Sequence, residues 1–264
     1  MSIRPININS QKQPNFGHSN PWADSPYKRS EQVFIASTTA LGVIGSMALL
    51  AKGEGYSILP KRLRSNLAPK KLWENLKPKQ IYKNYKRTWF HNTDFCDEKP
   101  VITIGAGSCL GGLVGGFTID KDKENRKAKL REAFLQIVNI SLPIIFTIQA
   151  AKLGKYTGKK FFEKSAKETL RTKIPQAIGG IMGLFAGVFS ANIIANKINE
   201  KVFKQGKGRP VQASDFSAHL DDFIVAAEKI NENSVTRFAS RLIPFALMIA
   251  GNEVGNTSTA NVDS

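Results

Sequence analysis

The chain has 264 residues and carries 38 Lys or Arg against 21 Asp or Glu. Its length allows one large soluble domain or two small ones. It contains only two cysteines, Cys96 and Cys109, which excludes both a disulfide framework and a paired-cysteine metal site. The distribution of the apolar residues along the chain, rather than their number, therefore decides the class of protein.

Residues 1–32 are polar and rich in Asn, Ser, Pro and Gln. Such a composition has too few apolar groups to offset the entropy lost on ordering, so we expect a disordered N-terminal tail. A polar leader of this length ahead of the first apolar run is also unlike a cleavable signal peptide.

Four uncharged, mostly apolar runs follow, at 33–51, 101–119, 133–151 and 174–196. A helix of nineteen residues is about 28 Å long, close to the roughly 30 Å hydrocarbon core of a bilayer. An amphipathic helix on a soluble domain would carry charges on its outer face every three or four residues, and these runs carry none. The runs predict an all-α, multi-pass transmembrane protein; the alternative is a set of core helices in a soluble one.

A basic loop, residues 52–100, connects the first two runs, and its segment 60–86 reads as three nonapeptides that each begin with Pro. This segment carries nine Lys or Arg and one Glu. Within each nonapeptide two apolar residues lie four apart, which is typical of a short amphipathic helix that starts at proline. Basic amphipathic pieces beside a membrane favour anionic lipid headgroups. The candidate headgroup-binding residues are Lys61, Arg62, Lys70, Lys71, Lys79, Lys83, Trp73 and Trp89.

The same basic and aromatic residues are compatible with nucleic acid. We rank that partner below headgroups because the basic excess extends over most of the loops and is not confined to the repeat. A solvated surface without a specific partner is the third alternative.

Glycine recurs at every fourth position in two of the runs. On a helix this spacing forms one smooth stripe, and in lipid, close packing over small residues drives helix association. We therefore predict glycine-zipper membrane helices within residues 101–196. The helix-packing residues are Gly107, Gly111 and Gly115 in the second run, and Gly179, Gly183 and Gly187 in the fourth. The segment beginning VITIGAG is not a dinucleotide fingerprint, because Leu110 stands where the third glycine is required.

The C-terminal part of the chain is different in character. Residues 197–233 form a polar insertion in which 213–230 have the spacing of an amphipathic helix with an acidic outer face. Its apolar residues Phe216, Leu220 and Phe223 are candidate partner-binding residues. Residues 234–254 then predict a short or re-entrant membrane segment, and 255–264 a disordered tail.

No arrangement typical of catalysis is present in the sequence. Asp221 and Asp222 are adjacent, so on a helix they point about 100° apart. The polar cluster at residues 89–100 has no standard ligand spacing. We therefore predict a protein that is not an enzyme and holds neither cofactor nor metal. If the runs simply alternate, the two sides carry 18 and 20 Lys or Arg, which gives no orientation.

The leading hypothesis is a non-enzymatic integral membrane protein, in a bacterial cytoplasmic membrane, that organises membrane or binds a partner, either another protein or further copies of itself. The alternative is a small-solute transporter or channel built from a weak internal repeat. A shift of 72 places the glycines of 107–115 on those of 179–187, and a shift of 101 places Pro143 on Pro244. The absence of ionisable residues from all four runs counts against an ion or proton route.

Overall fold

The computed structural model describes residues 26–56, 78–79, 88–162, 167–204 and 238–259. Within these ranges every regular element is helical, so the predicted all-α class is confirmed for the described part of the chain. The helices are α1 (Arg29–Gly53), α2 (Trp89–Asn92), α3 (Glu98–Ile119), α4 (Lys123–Phe161), α5 (Ile174–Lys201) and α6 (Ile243–Asn256). A π-helical turn, Thr169–Lys173, leads into α5.

Four helical segments are long and apolar enough to cross a membrane, namely Arg29–Gly53, Glu98–Ile119, Lys123–Phe161 and Arg171–Lys201. They contain the four apolar runs, which confirms that part of the prediction. Each helix is longer than its run, because charged residues continue the helix where the apolar stretch stops. With 39 residues, α4 is about 58 Å long, nearly twice the roughly 30 Å thickness of a hydrocarbon core.

Local interactions set where these helices begin and end. The Glu31 carboxylate accepts a hydrogen bond from the backbone N–H of Lys28 at the start of α1, at 2.8 Å. After α1 the chain turns through Gly55, whose φ of 81° suits glycine. The Asp122 carboxylate caps α4 by accepting the N–H of Asn125, at 3.1 Å. The Arg126 side chain donates to carbonyls at the end of α3, which satisfies acceptors that the helix leaves open.

Helix α3 lies at the centre and contacts α1, α4 and α6. It runs antiparallel to α1, since Gly107 lies opposite Gly42 and the later Gly111 lies opposite the earlier Thr38. It runs parallel to α6, since Gly112 lies opposite Gly251 and Gly116 lies opposite Gly255. Helices α4 and α5 form an antiparallel pair beside this group.

Small residues lie at these crossings. A methyl group added to Gly42 would overlap the carbonyl oxygen of Gly107, and one added to Gly112 would overlap that of Gly251. In the α4–α5 pair, a methyl group on Gly187 would lie 2.5 Å from the Cα of Pro143. The backbones therefore approach to distances at which no larger residue fits without a shift of the helices.

Large apolar side chains point outward from the same helices. They include Phe34, Leu41, Ile44 and Leu49 on α1, Leu110 and Val114 on α3, Phe134 and Phe146 on α4, and Ile178, Met182, Phe185, Phe189 and Ile193 on α5. All are at least 38% exposed. An exterior of this kind is typical of helices surrounded by lipid and is unusual over so large a surface in water.

The helix directions define two ends of the bundle. The Trp89 end contains the end of α1 and the starts of α3 and α6, because Ile243 belongs to the same buried cluster as Trp89 and Leu50. The Tyr27 end contains the start of α1, the end of α3 and the start of α4, where Tyr27 and Lys129 meet. Since α5 is antiparallel to α4 and Phe203 contacts Phe134, α5 finishes at the Tyr27 end. The C-terminal end of α4 and the N-terminal end of α5 meet around Gly158 and Pro175, and both lie at the Trp89 end.

The predicted short or re-entrant segment 234–254 contains most of the 14-residue helix α6. Helix α6 begins near His91, to which Arg241 donates at 3.1 Å, and finishes near Lys129, which donates to the carbonyl of Thr257. Residues 255–259 are mostly buried, and Thr259 is bonded to Asn125. This segment thus runs the length of the bundle beside α3. Lys204 and Phe238 consequently lie at opposite ends of the bundle, and residues 205–237 between them lie outside the described residues.

The weak internal repeat aligns α3 with α5 and α4 with α6, so that equivalent halves would be α3 with α4 and α5 with α6. In the described residues α4 packs chiefly against α5, whereas α6 packs chiefly against α3 and makes no comparable contact with α5. The two glycine stripes instead share another feature: each faces the long helix that precedes it in the chain, α1 for α3 and α4 for α5.

Candidate functional site

The base of the basic loop lies at the Trp89 end and is held closed by one hydrogen bond. The Thr88 hydroxyl accepts the N–H of His91 at 3.3 Å and so starts the short helix α2. This helix places Trp89 inside the protein, only 7% exposed. Its indole Nε1 donates to a carboxylate oxygen of Glu54, just after α1, at 2.8 Å. The two ends of the loop, at Glu54 and Trp89, are therefore adjacent at one end of the bundle.

Aromatic packing fixes the same corner. Phe95 is fully buried and meets Trp89 edge to face, with ring centroids 5.6 Å apart. Phe90 packs on Phe95 with centroids 4.9 Å apart. The cluster also includes Cys96, a buried cysteine that is not part of a disulfide in the described residues. The polar and aromatic segment 89–100 is thus a structural corner that joins α1, α3 and α6.

Most of the predicted headgroup-binding residues lie outside the described residues: Lys61, Arg62, Lys70, Lys71, Trp73 and Lys83. The predicted partner-binding residues Phe216, Leu220 and Phe223 lie outside them as well. Lys79 is described and exposed. Trp89 is buried, so its ring is turned away from the surface at which headgroups would lie.

The six predicted packing glycines are all described. Gly107, Gly111 and Gly115 face α1. Gly179, Gly183 and Gly187 face α4. Sequence reasoning missed two further pairs with the same spacing, Gly251 with Gly255 and Gly154 with Gly158, which face α3 and α5 respectively. The sequence contained the indication, because the two glycines of each pair are four residues apart.

At the Tyr27 end a polar cluster connects three parts of the chain. The Tyr27 hydroxyl donates to the Asp120 carboxylate at 2.6 Å and accepts from Lys129 Nζ at 2.7 Å. The side chain of Lys129 is fully buried, and its Nζ lies 3.8 Å from Asp120 and 4.6 Å from the centroid of the Tyr27 ring. Lys129 also donates to the carbonyl of Thr257. The cluster ties the segment before α1 and the segment after α6 to the α3–α4 corner.

The ionisation of this cluster follows from its partners. Burial raises the pKa of the Tyr27 phenol above its ordinary value, and the adjacent Asp120 carboxylate raises it further. Burial also acts to raise the pKa of Asp120. The hydrogen bonds from Tyr27 and from the backbone N–H of Asp122, with the charge of Lys129, outweigh burial and lower the pKa of Asp120. The phenol therefore stays protonated and the carboxylate charged at neutral pH.

A second polar contact joins α4 to α6. The side-chain amide of Gln136 donates to Glu132 at 2.9 Å and to Glu253 at 3.0 Å. All three side chains are partly buried. Sequence reasoning missed this pair of carboxylates, because Glu132 stands one residue before the third apolar run and Glu253 lies near the end of the predicted segment 234–254. Their positions in the sequence gave no sign that the two would meet.

Within the described ranges, no three His, Cys, Asp or Glu side chains are grouped so that they could hold a metal ion. The carboxylates of Glu132 and Glu253 accept hydrogen bonds from the one amide of Gln136. What the described part of the chain defines is an all-helical protein with four helices long and apolar enough to cross a membrane, consistent with an integral membrane protein. No family model, curated protein or solved structure matches this chain, so no particular family can be assigned.

Proposed function

We propose that this chain is a non-enzymatic integral membrane protein that organises membrane, with the basic loop 52–100 held at one bilayer face to bind anionic lipid headgroups. A rigid helical platform supports the loop. The polar insertion 197–233, through Phe216, Leu220 and Phe223, is the proposed contact for a protein partner or a further copy of the chain.

The observation that carries the proposal is the hydrogen bond between Trp89 and Glu54. It joins the two ends of the loop at the Trp89 end, directly above α1 and α3. The segment that contains the three basic nonapeptides, residues 60–86, therefore leaves and returns at one face of the bundle. If the long helices cross a bilayer, this loop lies within reach of the headgroups, where each basic residue contributes about 1 kcal/mol to binding an anionic surface.

Close packing of the helices supports the platform. The glycine-zipper interpretation agrees with the backbone contacts at Gly107, Gly111 and Gly187, at which larger residues would overlap the neighbouring helix. In lipid such contacts supply the association that hydrophobic burial supplies in water. Each glycine stripe of the described helices faces a neighbouring helix of the same chain, so the zipper proposed here is intramolecular.

A tethering assay tests the proposed function. The intact chain, reconstituted into vesicles of neutral lipid, is mixed with separate vesicles rich in phosphatidylglycerol, and their association is measured by co-flotation. We expect the wild type to tether the vesicles, and a variant with Gln at Lys61, Arg62, Lys70, Lys71, Lys79 and Lys83 to lose tethering. The matched control places Gln at six basic residues of the Tyr27 end, Lys121, Lys123, Lys127, Lys197, Lys201 and Lys204, and should keep it. Equal tethering by the loop variant and the wild type would refute the proposal.

A transporter of small solutes is the second candidate. The contact of Gln136 with Glu132 and Glu253 favours it, because ionisable groups between helices are the usual mark of an ion or proton route. The prolines support a transporter less strongly than the sequence alone indicated. Pro175 and Pro244 occupy the first turns of α5 and α6, where proline is common, and do not interrupt a helix. Only Pro143 lies inside one of the described helices, where it packs against Gly187.

Solute flux distinguishes the two candidates. The wild type and the variants Asn139→Leu and Gln136→Leu are reconstituted into sealed vesicles, and the uptake of labelled amino acids, sugars and protons is followed. The membrane-organising proposal expects no uptake above that of empty vesicles. Uptake by the wild type that both variants abolish would reverse the ranking.

A further inference from the structure

The C-terminal part of α4 extends beyond its apolar run as a basic helix. From Lys152 to Phe161 it continues for about 15 Å past Ala151, the last residue of that run. The headgroup layer adds roughly 5 to 8 Å on each side of the hydrocarbon core, so the first turns of this extension lie at headgroup depth. Side chains further along the extension point back toward the N-terminus of the helix, so long lysines there reach the same layer. The extension belongs to the Trp89 end, because Lys152 lies 3.9 Å from Glu98 at the start of α3.

One side of this extension packs against the neighbouring helix, and the rest of its surface is exposed. Gly154 and Gly158 face α5, where added methyl groups would overlap Pro175 and Arg171. On the opposite side Lys155, Lys159 and Lys160 are exposed. None of these three lysines makes an ion pair with a carboxylate of the described residues. Three positive charges therefore face outward from a helix whose inner side is fixed against its neighbour.

The charge at this end is unbalanced. Residues 152–162 and 167–173 together carry seven Lys or Arg and one acidic residue, Glu168. The corresponding corner at the Tyr27 end, 120–132, carries six Lys or Arg and four Asp or Glu. Lys173, exposed on the π-helical turn, adds a charge close to the level of Tyr156 on the paired helix. A strongly positive field is thus present at one end of the α4–α5 pair.

Exposed apolar groups on the same turns indicate the kind of partner. Leu153 is 62% exposed and Tyr156 is 64% exposed, next to Lys155 and Lys160. Tyrosine with interleaved lysines is typical of the membrane interface, where the ring lies at headgroup level and the ammonium groups reach the phosphates. A surface that met only soluble anions would gain nothing from Leu153.

We infer that Lys155, Lys159, Lys160 and Tyr156 form a binding surface for anionic lipid headgroups of the bilayer that surrounds the protein. This surface rests on the proposed membrane location but is separate from the basic loop. The loop is tested by its binding to separate anionic vesicles, whereas the α4 surface is tested by the lipids it selects within the protein's own bilayer.

Lipid selectivity measured by electron paramagnetic resonance tests the inference. The intact chain is reconstituted in mixed phosphatidylcholine and phosphatidylglycerol vesicles, and the association of spin-labelled phosphatidylglycerol with the protein is compared with that of phosphatidylcholine. We expect the wild type to prefer phosphatidylglycerol. In the variant Lys155→Gln/Lys159→Gln/Lys160→Gln the preference for phosphatidylglycerol should fall by about fivefold or more. The same three lysines changed to Arg should keep it.

A matched control has Gln at Lys123, Lys127 and Lys201, which are exposed at the Tyr27 end, and should retain the wild-type preference. The inference is overturned if the triple Gln variant of α4 keeps its selectivity, or if the control loses as much. It is also overturned if a soluble oligonucleotide or polyphosphate, added outside the vesicles, displaces the labelled lipid and binds to the same lysines. Failure of vesicle tethering with intact lipid selectivity would count only against the loop, and the reverse result only against the α4 surface.

Discussion

Gly42 of α1 and Gly107 of α3 face each other with no space for a side chain, since a methyl group on Gly42 would overlap the carbonyl oxygen of Gly107. Three residues along the same helix, Gly45 has no atom within 4 Å of the position its methyl group would take. The same chemical change can therefore be made at a helix crossing and on the outer surface of one helix.

We expect Gly42→Ala to destabilise the protein by about 1 to 3 kcal/mol, because α1 and α3 have to move apart. Gly45→Ala should be neutral or stabilising by up to about 1 kcal/mol, as alanine favours a helix more than glycine does. The free energy of unfolding, from an SDS titration of the detergent-solubilised chain, is the measurement. Equal effects of the two substitutions would show that α1 and α3 do not pack through this contact.

The pH dependence of stability tests the cluster at the Tyr27 end. Because the pKa of Asp120 is lower in the folded state, its contribution is complete above the unfolded value of about 3.9 and is lost as the pH falls through the lower folded value. Asp120→Asn should cost about 1.5 to 3 kcal/mol at pH 7, the usual range for a hydrogen bond to a charged group. The difference in unfolding free energy between wild type and variant should shrink below about pH 4. A difference that stays constant down to pH 2 would contradict the assigned partners.

The bridging amide of Gln136 gives a further prediction. Gln136→Leu leaves two carboxylates, Glu132 and Glu253, without their shared donor, which should cost about 1 to 3 kcal/mol. Gln149 lies on the same helix and donates to Glu98 in an exposed setting, so Gln149→Leu should cost clearly less. Thermal unfolding of both variants in detergent measures the difference. A larger loss for Gln149→Leu would mean that α4 and α6 are not joined through Gln136.

The directions of the helices predict which residues share a membrane face. A single cysteine at Lys155 should react with a membrane-impermeant maleimide from one side, and those at Lys123 and Lys201 from the other. The wild-type chain supplies the blank, because Cys96 and Cys109 are both buried. Labelling of Lys155→Cys from the same side as Lys123→Cys would show that α4 does not cross the membrane.

Much of the fold could be predicted from the sequence, because the physics that selects membrane helices acts within each segment. An uncharged apolar run has its lowest free energy in lipid or in a protein core, so the runs identified the four long helices. The extent of α4 could not be predicted in this way. Seven of its ten residues before Ala133 and four of its ten after Ala151 are charged, and an apolar run marks the depth of lipid rather than the end of a helix.

The contacts between segments could not be predicted, since they depend on which helices become neighbours. The spacing of Gly107, Gly111 and Gly115 identified a smooth face but not its partner, α1. Lys129 and Asp120 lie in a charged stretch between two apolar runs, and in the structure both are buried and in contact with Tyr27, 93 residues before Asp120. Trp89 looked like an interfacial aromatic, and its burial depends on Glu54 at the far end of the loop.

The membrane location supports every proposal above, and alkaline carbonate extraction tests it most directly. Membranes from cells that express the intact chain are washed with carbonate, sedimented and blotted, alongside one known peripheral and one known integral protein. We predict that the chain stays in the pellet with the integral protein. Its release into the supernatant with the peripheral protein would contradict the account, because helices whose exterior carries residues such as Leu41, Met182 and Phe189 would then have to be covered by protein rather than by lipid.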